Sequence, residues 1–245
     1  FHGIQLVFFF TLLHEASHDT PFKTIGLNRF AAWLSAVIVI LPPLWFRYYH
    51  LAHHRHTHDP DHDPELSGPP LDSLGRYFFA VSGIPIWKFH LTTTITNALG
   101  RFNHAYLPER VRPRIIREAR LMLCVYGIAA AFSIYVQTMV LVYLWLLPMV
   151  LGQPFLRLYL MAEHGRCPPV ANMLENSRTT LTNRMVRWLA WNMPYHAEHH
   201  AWPNVPFHKL PEFHEVAKRH LMTVENGYTE FQGKQIAALA KGRRA

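Results

Sequence analysis

Cysteine is nearly absent from this chain: only Cys124 and Cys167 occur. Two distant thiols can build neither a disulfide framework nor a thiolate metal site. Strand-like alternation between turn signals is scarce, which leaves helix as the dominant element, and no internal repeat or low-complexity segment is visible. Acidic residues are also few, 16 against 24 Lys and Arg, for a formal net charge of +8. The basic residues have no interleaved aromatic platform and match no nucleic-acid module, so the charge is not read as nucleic-acid binding. Half of the 245 residues are apolar, enough for one sizeable domain, expected to cover residues 1–245.

The longest absence is of charge itself. Between Arg120 and Arg157 no residue is charged, a run of 36 from Leu121 to Leu156. One bilayer crossing takes about 20 apolar residues, so the run predicts a hairpin of two short spans, with Gln137 and Thr138 at its turn and a kink at Pro148. Arg101, Arg110, Arg112, Arg114, Arg117 and Arg120 crowd the approach and assign that face to the cytoplasm. Gly3–Leu13, also uncharged, reads as the last half of a span whose start is missing, so the N-terminus is expected to be truncated. Phe30–Phe46 could just cross a bilayer, but Pro42 and Pro43 break it, which favours a re-entrant or interfacial helix. An interfacial role is expected for Tyr77–Gly100 as well. The fold class is therefore all-α, an integral membrane helical bundle.

Histidine is what the chain has in excess: 18 residues. Nine of them form a pattern: His14 and His18; His50, His53 and His54; the single His164; and His196, His199 and His200. Spacings of three and four put each cluster on one helical face, where neutral imidazoles converge as metal ligands. One ion uses at most about four such ligands, so nine predict two metals in one site. A shared site requires all four elements on the same side of the membrane, which the hairpin permits.

The three clusters resemble the histidine boxes of the membrane fatty-acid desaturase family, whose relatives include lipid hydroxylases and carotenoid ketolases. His14-Glu15-Ala16-Ser17-His18 matches the first box, His50-Leu51-Ala52-His53-His54 the second and His196-Ala197-Glu198-His199-His200 the third. The resemblance implies a non-haem centre of two iron ions at the cytoplasmic face. It would use dioxygen and electrons from a separate ferredoxin or small cytochrome to desaturate a fatty acyl chain, lipid- or thioester-linked. It also places His164 as an extra ligand. Some relatives pair that histidine with an asparagine four residues earlier, where this chain has Leu160; Asn192, four before His196, could stand in.

Glu15, Asp19, Glu163 and Glu198 adjoin the ligands and are candidates for holding their second ring nitrogens. His56, His58 and His62 are expected to serve the acidic, proline-rich loop from Asp59 to Pro70, which caps the second cluster. His2, His90, His104, His208, His214 and His220 are isolated and expected in ordinary surface or core roles. Trp33, Trp45, Trp87, Phe78, Phe79 and Trp145 could line an acyl tunnel, though packing is their expected role. Metal transport is disfavoured because the uncharged run holds no histidine, aspartate or glutamate. A metal sensor or store would not need that run. Desaturation and hydroxylation are not separable from sequence, because they differ in the placement of one substrate carbon.

Overall fold

A computed structural model describes residues 1–242, and these are mostly helical with almost no sheet. The first helix is interrupted once, giving α1 (His2–Val7) and α2 (Phe9–Ser17), whose last turn carries the first histidine pair. The chain then reverses, and α3 (Ile25–Val39) packs along α2. It ends where Ile40 takes a left-handed conformation (φ 59) and Pro42 and Pro43 follow. Pro43 cannot continue a helix but starts one well, so α4 (Pro43–His56) leaves at 98° to α3. The prolines thus break Phe30–Phe46, as their position predicts.

Beyond the acidic loop, α5 (Leu74–Val81) and α6 (Ile84–Ala98) are separated by Gly83, whose φ of 77 suits glycine. The uncharged run then forms two helices. Of these, α7 (Arg112–Tyr135) ends at a turn with Gln137 left-handed (φ 50), and a π-helical segment, Val142–Leu146, leads into α8 (Leu147–His164). Pro148 has no N–H to give the carbonyl four residues earlier, and that carbonyl, Leu144 O, accepts instead from His2 Nε2 at 2.8 Å. The expected kink is therefore a π-helical turn tied to the first helix.

The two helices are not equivalent. Among the described residues Val142–His164 is the one continuous helix long and apolar enough to cross a membrane, and 28% of its most apolar window is buried. The bent pair α3–α4 passes the same test only if counted as one span. The expected pair of spans is thus supported for its second member alone. Arg112, Arg114, Arg117, Glu118 and Arg120 occupy the first half of α7, and the uncharged remainder is too short for about 30 Å of hydrocarbon. Part of that arginine cluster serves the fold: Arg112 donates to Gly100 O (2.7 Å) and Phe102 O (2.9 Å), and Arg120 Nε to Ala98 O (2.8 Å), satisfying carbonyls at and beyond the end of α6.

α8 packs along α1 and α7 along α6. The α1–α8 crossing is close because both helices lack a side chain there. A methyl group on Gly152 would collide with Gly3 O, and one on Gly3 with Pro148 O. The outer faces of α7 and α8 stay apolar and exposed, through Ile128, Phe132 and Ile134 on one and Leu151 and Phe155 on the other.

After α8 come a short helix α9 (Met173–Asn176), strand β1 (Thr179–Thr180), α10 (Arg184–Leu189), α11 (His196–Ala201), α12 (Leu210–Ala217), strand β2 (Val224–Glu225) and α13 (Tyr228–Ala240). The two strands pair in parallel, Thr179 opposite Val224, and Thr179 also bridges to Tyr195. This staple fixes the start of α11, which carries the last histidine cluster.

Candidate metal centre

Three helix ends and one buried turn of helix bring the nine histidines together. His14 is on α2 and His18 caps it; His50, His53 and His54 lie along α4; His164 ends α8; His196, His199 and His200 are on α11. The side-chain nitrogens fall into two groups. In one, His14, His18, His50, His54 and His199 offer nitrogens all within 4.8 Å of one another. In the other, His53, His164 and His200 do the same, and His196 Nε2 lies 3.0 Å from His164 Nε2. The groups meet at His54 and His200, whose rings stack with centroids 4.0 Å apart.

Several nitrogens face each other at short range: His50 Nε2 is 2.9 Å from His18 Nε2, and His53 Nε2 is 3.0 Å from His164 Nε2. Two nitrogens each about 2.0–2.1 Å from one ion, at right angles, sit about 2.9 Å apart. Nε2 of His199 and of His200 is buried with no hydrogen-bond partner among the described residues. Such lone pairs are costly unless a metal takes them. Burial holds the imidazoles of His196, His199 and His200 well below the ordinary histidine value, so they stay neutral donors near pH 7.

Three of the opposite ring nitrogens are hydrogen-bonded and two more face a carboxylate, while Nδ1 of His14 and of His54 has no partner among the described residues. His53 Nδ1 donates to Asp63 Oδ1 at 3.0 Å, His164 Nδ1 to Asn176 O at 3.3 Å, and His200 Nδ1 to Thr57 Oγ1 at 3.3 Å. Glu163 Oε1 faces His196 Nδ1 at 3.5 Å, and Glu15 Oε1 faces His199 Nδ1 at 3.6 Å. A carboxylate or carbonyl on one nitrogen fixes the ring and turns the other inward. Glu15 is itself held by Phe207 N and Thr20 Oγ1, both at 3.1 Å.

Two carboxylates next to the histidines have other work. Asp19 pairs with Arg47 at 2.9 Å, and Glu198 accepts from Thr179 and from His214 on α12. Sequence reasoning missed Asp63, which lies ten residues from His53 and holds it while accepting also from the backbone of His58 and Glu65. The only signal was its place in the loop expected to cap the second cluster. Asn192, with φ 56, donates its amide to Phe207 O at 3.1 Å. It shapes the turn before α11, and Leu160 packs against the apolar core. His56, Asp59 and His62 gather on the surface, apart from the nine.

A cavity of about 800 Å³ opens beside the two groups, with His14, His50, His53, His164 and His196 in its wall. Phe10, Leu41, Phe46, Ile86, Phe89 and Leu160 supply its apolar lining. None of the six aromatics considered for a tunnel lines it. Trp45 stacks on Tyr49, Trp145 Nε1 donates to Ile38 O at 2.9 Å, and Phe78 and Phe79 are exposed.

The family model described as fatty acid desaturase matches residues 2–231. The chain is similar to the sphingolipid delta(4)-desaturase/C4-monooxygenase DES2 of Mus musculus, 26% identical over 212 residues, and to that of Bos taurus, 29% identical over 212 residues; each match covers 84% of this chain and 60% of the relative. It is also similar to the sphingolipid delta(4)-desaturase DES1 of Mus musculus, 25% identical over 214 residues, covering 85% of this chain and 61% of the relative. The chain thus spans about 60% of the length of these curated relatives. With the match running through all three histidine clusters, the chain belongs to the fatty acid desaturase family of oxidoreductases.

Proposed function

We propose that the chain carries the catalytic centre of an oxygen-dependent membrane lipid desaturase. His14, His18, His50, His54 and His199 would hold one iron ion, and His53, His164, His196 and His200 the other. The observation that carries this reading is the division of nine buried or half-buried histidines into two touching groups beside a largely apolar cavity. A sensor or store needs no such cavity. Iron held there supplies the activation of dioxygen needed to take hydrogen from an unactivated C–H bond.

The protein's own part is positional. Asp63, Glu163, Glu15, Thr57 and the Asn176 carbonyl set the ring orientations. Phe10, Phe46 and Phe89 offer an acyl chain a dry path past the histidine wall. The exposed apolar faces of α7 and α8 fit a bilayer, with the arginine-rich start of α7 and the histidine end of α8 on the cytoplasmic side. Electrons would come from a separate ferredoxin or small cytochrome. Hydroxylation is the second reading, because the DES2 relatives are named for both desaturase and monooxygenase activity.

The test is expression in a host lacking the activity, followed by lipid mass spectrometry against a His199→Ala control. A wild-type-dependent loss of two hydrogens in a lipid supports desaturation, and a gain of one oxygen supports hydroxylation. Identical lipidomes in wild type and control, with both proteins folded and metal-loaded, would overturn the proposal.

A further inference from the structure

The cavity has a polar wall that the histidine groups do not use. Arg157 on α8, seven residues and about 10 Å of helix before His164, lines it. Its Nε is buried without a partner, and Glu163 and Glu65, the acidic groups whose charges act on it, lie beyond ion-pair distance. Gln235 on α13 lines the same cavity, is 2% exposed, and has a buried Oε1 with no partner. The two helices are pinned where these residues sit. Gln232, one turn before Gln235, donates Nε2 to the carbonyl of Leu158, the neighbour of Arg157, at 2.6 Å.

An unpaired guanidinium and an unpaired amide oxygen in one partly dry cavity are both costly, and their needs are opposite. Arg157 requires an acceptor, and Gln235 Oε1 requires a donor. A carboxylate headgroup would satisfy the first and leave the second empty. It would also meet Asp63, Glu65 and Glu163 in the same lining, against Arg157 and the exposed Arg166. An amide or a hydroxyl beside a carbonyl offers both partners without net charge.

We propose that Arg157 and Gln235 form a headgroup subsite for a neutral lipid whose polar end carries both an acceptor oxygen and an N–H or O–H donor. The inference rests on the cavity being the substrate site of the reading above. It assigns Arg157 and Gln235 to recognition rather than to chemistry at the metals.

The test is equilibrium binding to the full metal-loaded chain in detergent, without electron donor, so that no turnover enters. The probes are a saturated fatty acid, its methyl ester and its N-(2-hydroxyethyl) amide, all of one chain length. The amide should bind about ten-fold more tightly than the ester, the scale of one buried unsatisfied group, and more tightly than the acid. Arg157→Met and Gln235→Leu should each erase the preference for amide over ester while the metal content holds. If Arg157→Met does not fold, Gln235→Leu carries the same comparison. Tightest binding by the acid, or an unchanged amide-to-ester ratio in the folded variants, would overturn the subsite. If the binding order holds but no lipid is ever converted, the desaturase reading fails and the subsite stands. If lipid is converted but the order is absent, only the subsite fails.

Discussion

Glu15, beside His14 in the sequence, turns its carboxyl to His199 of the last cluster, 3.6 Å away, and both side chains are fully buried. A residue next to a ligand points about 100° away from it around the helix. It therefore serves a ring arriving from another helix. Glu163, beside His164, does the same for His196.

Glu15→Gln should leave the helical fold intact and weaken metal retention about 10–100-fold, the usual cost of losing such a partner. Chelator competition followed by metal analysis checks this. Retention equal to wild type would remove Glu15 from the support of His199.

Asp63→Ala should be the more damaging change. It removes the acceptor for His53 Nδ1 and for two backbone N–H groups, those of His58 and Glu65. Each buried donor left unpaired costs about 1–3 kcal/mol. The expected outcome is a lower melting temperature together with loss of metal, and a variant that melts and binds metal like wild type contradicts the assigned role.

Gly152→Ala tests the packing of α8 against α1 without touching a histidine. The new methyl meets Gly3 O, backbone that has nowhere flexible to go. Overpacking of this kind costs about 1–3 kcal/mol, so thermal stability in detergent should fall. An unchanged melting temperature would mean the helices can part there at no cost.

Protons should destabilise the metal-free protein. Burial holds His18 down to about 3 and lowers His196, His199 and His200 well below 6.5. Unfolded, these rings take protons below about pH 6.5, while the folded rings do not. Their contribution to stability is therefore full above pH 6.5 and is lost as pH falls from there toward 3. Burial pushes Glu15 up to about 8 and raises Glu163, which opposes this between pH 8 and 4.5. The eight lowered rings are isolated in a Glu15→Gln, Glu163→Gln background. Its metal-stripped melting temperature should decline from about pH 6.5 to 5, and a flat profile there contradicts buried neutral imidazoles.

The histidine clusters were legible in the sequence because spacings of three and four translate directly into one helical face, and the structure gathers all nine. The break at Pro42 and Pro43 and the turn at Gln137 were legible for the same reason: each is a local backbone constraint. Contacts between distant elements were not. Nothing in the order of residues couples Glu15 to His199, Asp63 to His53, or Arg112 and Arg120 to the end of α6. The two expected spans misread α7, because an uncharged run counts side chains and not where a helix begins. α7 starts nine residues earlier than the run, among arginines.

The central claim is two metals held by nine histidines. The most direct measurement is iron per chain in the purified full chain, by elemental mass spectrometry against protein mass. The account predicts two iron ions per chain. One ion or none at saturating iron, in folded protein, would contradict it.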